Sequence, residues 1–319
     1  MAEYEIIDVH LHLNRDTATE KLVFPRPGVP DEWLCGTPDT ITPFMDRWGV
    51  YKIVSVNAMD TRRMSESRLN RIPRTTPESE LTSIKARMHD EMVERFRRFN
   101  DWACDVYKKN PRLVMYVGID PVLFGAKSKE YFEEWVKKGT PGIKIHPGIG
   151  GHLPDHPNLM PIYQRCQELG LPVLTDSGAS GGEGPGGVVY GEPNHWIPVL
   201  STFPRLKLIM AHFCSSYWDE RIILAEKYKD NLVFDISGGV NEPSGRFGGG
   251  QGARDGHRAI PRQDAVRVFR KVGIERLMFA SDGTGHRIPG MAEQLMALEL
   301  SDEEKRLIFS GNAKRILGL

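Results

Sequence analysis

Short apolar runs recur along the chain at 5–12, 52–58, 112–120, 142–147, 172–178, 206–213, 232–238 and 276–282. Runs of this length, rich in β-branched residues and bounded by turn formers, predict strands. Between them, apolar residues fall three and four apart over 80–109, 129–138, 159–169, 220–229 and 263–272, the spacing of helices. Strands alternating with helices imply βαβ units and a parallel sheet. Eight strands in one chain fit a (β/α)8 TIM barrel, which leaves no sheet edge to protect. The alternative is an open doubly wound sheet, but no G-x-G-x-x-G follows the first run. No repeat or shift of composition divides the chain, so 1–319 reads as one barrel domain.

Long connections follow three of the strands: 14–38, rich in proline and charge; 59–78, with Arg62, Arg63, Arg68, Arg71 and Arg74; and 238–262, rich in glycine. A second glycine-rich turn, 178–191, follows the fifth strand. Loops after strands build the working face of a barrel, so these read as substrate-binding and lid loops. The arginines of 59–78 suit either a solvated loop or a substrate carboxylate. Gly248-Gly249-Gly250 lacks the Gly-Lys-Ser/Thr of a phosphate loop.

Charge narrows the function classes. The 42 basic and 42 acidic side chains balance, so no basic field invites nucleic acid or an acidic membrane. No apolar run reaches the length of a membrane span, and the acidic N-terminus enters a strand at once, unlike a signal peptide. The four cysteines, Cys35, Cys104, Cys166 and Cys214, show no Cys-x-x-Cys spacing and read as reduced thiols. The expectation is a soluble cytoplasmic protein acting on a small molecule.

Polar residues cluster where the predicted strands end. The first strand carries Asp8, His10 and His12, which strict alternation would put on one face, with Ile7, Val9 and Leu11 on the other. Lys144 and His146 share a face of the fourth strand, Asp176 ends the fifth, His212 the sixth and Asp282 the eighth. Singly, each has a dull explanation: a satisfied histidine near a core, or an aspartate forming a turn. In a barrel those ends converge on one cup, and imidazole with carboxylate is the donor mixture of hard and borderline cations.

Ile7-Asp8-Val9-His10-Leu11-His12, Gly142-Ile143-Lys144-Ile145-His146-Pro147, Leu208-Ile209-Met210-Ala211-His212, Ala280-Ser281-Asp282 and Ser310-Gly311-Asn312-Ala313-Lys314-Arg315 occur in that order. In this the chain resembles the amidohydrolase superfamily, specifically the amidohydrolase-2 branch with aminocarboxymuconate-semialdehyde decarboxylase-like enzymes. The resemblance implies a barrel with one divalent metal ion, zinc, manganese or magnesium, held by His10, His12 and Asp282. His212 would orient or deprotonate the metal-bound water, and Asp282 would also shuttle the proton, making these two the catalytic pair. Where the family has His-Thr-Gly after the fifth strand, this chain has Asp176-Ser177-Gly178. Asp176 is therefore expected as a carboxylate ligand in place of imidazole, or as a mark of lost metal binding. Lys144 and His146 are expected to contact substrate, with a modified Lys144 bridging two metals as a lesser option.

Three functions follow from the resemblance. The leading one is hydrolysis of a small carboxylate-bearing amide, ester or lactone by a metal-activated water. The alternative is non-oxidative decarboxylation of an aromatic or unsaturated acid. The third is a metal-free lactonase or a non-catalytic ligand-binding barrel. A homodimer is the expected assembly.

Overall fold

The computed structural model describes residues 4–25, 30, 33–178, 184–214, 218–238, 240 and 260–319. Its strands are β1 (Ile6–Leu11), β2 (Val50–Val56), β3 (Leu113–Ile119), β4 (Ile143–Ile145), β5 (Val173–Thr175), β6 (Leu208–Met210), β7 (Leu232–Asp235) and β8 (Leu277–Met278). They pair in parallel, each with the next in the chain. Backbone hydrogen bonds then return β8 and its continuation to β1: Val9 N donates to Phe279 O at 3.0 Å, and Asp282 N to His10 O at 2.8 Å. Helices occupy the segments between strands, and the result is a (β/α)8 barrel.

Registered neighbours on parallel strands face the same side of a sheet. Gly118 pairs with Lys144, Lys144 with Leu174, and Leu174 with Ile209, so these positions line the inside. Ile7, Val9, Val54, Tyr116, Leu174, Ile209, Met278 and Ala280 form the buried cluster that fills it. Gly142 is required there, because a Cβ would meet the Tyr116 ring at 2.6 Å. Outside, the helix Glu78–Lys109 buries Met88, Met92, Phe96, Asn100 and Ala103 along one face. Asn100 fastens it to β3, donating to Gly118 O at 2.8 Å and accepting from Gly118 N at 2.9 Å. At the far end, buried Asn312 donates to Ile274 O and Leu277 O at 2.7 and 2.8 Å, which gives the Gly-Asn-Ala motif a structural purpose.

Three sequence expectations need correction. The alternation in β1 is broken: its register against β2 slips between Asp8 and Leu11. Ile7 and Val9 therefore join the interior cluster, and after the slip His10 and His12 face inward as well. The connections 14–38 and 59–78 contain helices, Thr17–Val23 and Thr61–Leu69, whose caps Asp16 and Asp60 accept from Thr19 N and Arg63 N at 2.7 and 2.9 Å. The helix Pro38–Trp48, unforeseen in the sequence, has a Thr37/Thr40 capping box and stops at Gly49 with φ 68°. Most of the glycine-rich connection, including Gly248–Gly250, and residues 179–183 of the other glycine-rich turn lie outside the described residues. Among the described residues no helix is long and apolar enough to cross a membrane.

Candidate active site

The strand ends meet in a cup over the interior cluster. The slipped end of β1 brings the ring of His10 to a centroid distance of 5.2 Å from both His12 and His212. His10 Nδ1 donates to Asp235 Oδ2 at 2.9 Å, and His12 Nδ1 donates to Val56 O at 3.1 Å. Each imidazole therefore keeps the proton on the ring nitrogen that faces the protein. Burial dominates His10 and, aided by Lys144, holds its pKa down to about 4, so its ring is neutral. The other nitrogens turn towards one carboxylate oxygen: Asp282 Oδ1 lies 3.1 Å from His12 Nε2 and 3.6 Å from His10 Nε2. At 3.1 Å His12 Nε2 and Asp282 Oδ1 are hydrogen-bonded, and a cation that displaced the proton between them would take one lone pair from each imidazole and one from the carboxylate.

The donor atoms of His10, His12 and Asp282 all lie within 4.8 Å of one another, as do those of His10, His212 and Asp235. In the second set, however, His10 Nδ1 is already spent on Asp235. The first set therefore fits a divalent ion better, with Asp235 behind it orienting His10. Lys144 Nζ, almost fully buried, stands 3.5 Å from His10 Nε2.

Across the cup the same residue types are arranged differently. Asp176 Oδ2 accepts from His212 Nε2 at 2.9 Å, and His146 Nε2 lies 3.2 Å from the same oxygen. His146 Nδ1 accepts from Ile149 N at 3.3 Å, so this ring is neutral, and burial keeps its pKa down to about 4. His212 is the opposite case. The hydroxyl hydrogen of Ser237 goes to Asp235 Oδ1 at 2.6 Å, so Ser237 Oγ can only accept from His212 Nδ1, at 3.0 Å. Both nitrogens of His212 are thus donors, and the ring carries a positive charge. Burial works against that charge, but Asp176 and Asp282 outweigh it and hold the pKa up to about 9. The charge on His212 in turn helps keep Asp176 and Asp282 ionised despite burial.

Two backbone features aim these groups. His212 and Asp282 sit at φ 58° and 50°, and Phe213 at 47°; they are the non-glycine residues with left-handed backbone among those described. The turn at Asp282 is held by Arg287, which donates to its carbonyl oxygen. Phe24, at the end of the first helix, stacks on His12 at a centroid distance of 5.7 Å.

Of the residues singled out in the sequence, His10, His12, Lys144, His146, Asp176, His212 and Asp282 all come to this cup. Asp176 is engaged by two histidines and stands outside both donor sets. Of the arginines in 59–78, Arg62 donates to Gly148 O at 3.3 Å and Arg68 pairs with Glu91 at 2.6 Å. Sequence reasoning missed Asp235, whose Oδ1 also accepts from His212 N and Ser237 N at 3.0 Å. The signal was an aspartate two residues after Val233 within an apolar run, where a buried charge demands partners. Asp8, seen in the sequence beside His10 and His12 but given no role there, is buried; its Oδ1 accepts from His10 N and Ser281 N at 3.0 and 3.1 Å and steadies the slip, and burial raises its pKa to about 7.

A family model described as amidohydrolase matches residues 7–319. A curated relative, a 2-amino-3-carboxymuconate-6-semialdehyde decarboxylase of Dictyostelium discoideum, is 23% identical over 245 residues, 69% of this chain and 65% of its own length. The chain thus spans slightly under two thirds of that relative. A solved 2,6-dihydroxybenzoate decarboxylase in complex with 2,6-dihydroxybenzoate superposes with a TM-score of 0.67 at 15% identity, covering 99% of this chain and 100% of the other. A dihydroxybenzoic acid decarboxylase from Polaromonas sp. JS666, with bound manganese and the inhibitor 2-nitroresorcinol, gives 0.59 at 15% identity, covering 99% and 97%. At such identity the solved structures speak for the fold.

Proposed function

The chain belongs to the amidohydrolase family, and on that premise we propose that it removes carbon dioxide, without oxidation, from a small hydroxylated carboxylic acid. His10, His12 and Asp282 would hold one divalent ion, with manganese, zinc and magnesium all suited to two imidazoles and a carboxylate. When bound, the ion supplies Lewis acidity that fixes the substrate carboxylate and a neighbouring hydroxyl.

The observation that carries this reading is the protonation of His212. Hydrolysis, the leading expectation from sequence, asks His212 to take a proton from water. With Nδ1 committed to Ser237 and Nε2 to Asp176, it has no lone pair to offer. Decarboxylation asks the reverse. When the bond to the carboxyl carbon breaks, its electron pair stays on the substrate carbon, which must then receive a proton as CO₂ leaves. His212 is a cation with Nδ1 3.9 Å from Asp282 Oδ2, and it would deliver that proton by giving up the hydrogen bond of one nitrogen and then be recharged from solvent. Asp235 fixes the tautomer of His10, while Asp176 holds His212 in place and keeps it charged. That named relatives are decarboxylases supports the same choice.

The test is turnover of a panel of hydroxybenzoic and unsaturated hydroxy acids by metal-loaded protein in D₂O. One acid should release CO₂ and gain one deuterium at the vacated carbon. His212→Gln should lower that rate by about 10²–10⁴-fold. Release of acid from an ester, amide or lactone, with no CO₂ from any acid, would return the reading to hydrolysis.

A further inference from the structure

A second pocket opens beside the cup and shares Lys144 and His146 with it. It reaches between the ends of β2, β3 and β4 to Asn57, Gly150 and His152, and its volume of about 20 Å³ holds one water-sized group. Asn57 and His152, 1% and 4% exposed, both line it. Each has a buried side-chain atom without a hydrogen-bond partner, Oδ1 of Asn57 and Nε2 of His152.

Both atoms are acceptors. Asn57 Nδ2 faces the carbonyl of Phe99 at 3.5 Å, so the amide oxygen is the atom left over. His152 Nδ1 lies 2.9 Å from Leu153 O and must carry the ring proton, which leaves a lone pair on Nε2. The ring has a prepared place: a Cβ on Gly150 would stand 2.7 Å from its Cδ2. Buried acceptors left unpaired are costly, and two on residues that line the same pocket call for a donor.

We propose that Asn57 and His152 form an acceptor subsite that takes a hydroxyl of the substrate, separate from the carboxylate and hydroxyl bound at the cup. The inference rests on the decarboxylase reading and deepens it: the substrate class becomes an acid with a second, remote hydroxyl. The pocket admits that hydroxyl but no larger substituent. An acid lacking it leaves both acceptors unsatisfied, and such sites reject the bare analogue more strongly than apolar pockets do.

The experiment compares 2-hydroxybenzoate with its 2,3-, 2,4-, 2,5- and 2,6-dihydroxy counterparts, by calorimetry on zinc-loaded protein. One isomer should bind about tenfold or more tightly than 2-hydroxybenzoate. That advantage should fall to within about twofold in Asn57→Leu and in His152→Phe. In the unmutated protein, the ¹⁵N resonance of His152 Nε2 should shift with the favoured isomer and stay in place with 2-hydroxybenzoate. The subsite is overturned if 2-hydroxybenzoate binds and no isomer improves on it, or if the advantage survives both substitutions. Water then fills the pocket, and the decarboxylase reading stands. If none of the five acids binds, the subsite fails, and the decarboxylase reading fails with it only if the unsaturated hydroxy acids release no CO₂ either.

Discussion

The two walls of the cup are built from the same residue types and behave as opposites. On the β1–β8 wall, His10 and His12 donate from Nδ1 to Asp235 and to a backbone carbonyl, and turn both Nε2 atoms to Asp282. On the β5–β6 wall, Asp176 accepts from His212 and lies close to His146 Nε2, and the wall satisfies itself. Which nitrogen the scaffold protonates therefore decides the chemistry. The first wall is electron-rich and wants a cation from outside; the second already holds its positive charge as a proton.

That contrast predicts a graded set of effects. The largest is His10→Ala, which should lose the ion by elemental analysis and with it all activity, because the first wall cannot close around a metal with one imidazole. Next, His212→Gln should keep its ion and still lose about 10²–10⁴-fold in turnover. Loss of metal in that variant would collapse the distinction between the walls. Asp235→Asn should weaken metal affinity by about 10–100-fold, measured against a competing chelator, because His10 loses the carboxylate that orients it. Asp176→Asn should leave metal content unchanged while slowing turnover through His212; if the ion leaves, Asp176 is a ligand and the second wall has been misassigned. The smallest effect is Gly150→Ala, which displaces His152 and should cost about 1 kcal/mol in denaturant unfolding, with metal content untouched.

Much of this was legible in the chain because barrels convert order in sequence into place in space. Every strand falls inside an apolar run read from the sequence or within two residues of it, and the helix expected over 80–109 is Glu78–Lys109. His10, His12, His212 and Asp282 stood out because polar residues that end apolar runs are conspicuous. Asp235 did not, because Ile236 follows it and the run continues. The pairing of His10 with Asp235 joins residues 225 apart, a relation no local pattern contains. The broken alternation of β1 was equally hidden: whether residues 7 and 9 face with or against 10 and 12 depends on the partner strand's register. The tautomers follow from the same long-range contacts, and they turned the reading from hydrolysis to decarboxylation.

The left-handed turns at His212 and Asp282 carry a consequence for how this barrel would change under selection. Each holds an ordinary residue in a conformation that costs roughly 1–2 kcal/mol, against a typical folding margin of about 5–15 kcal/mol. Glycine at either position would remove that cost together with the side chain proposed to react. Asp282→Gly should accordingly melt a few degrees higher (~2–4 °C) while binding no ion. A lineage selected only for heat resistance would shed its chemistry first at these two positions, and the barrel it kept would be the sturdier one.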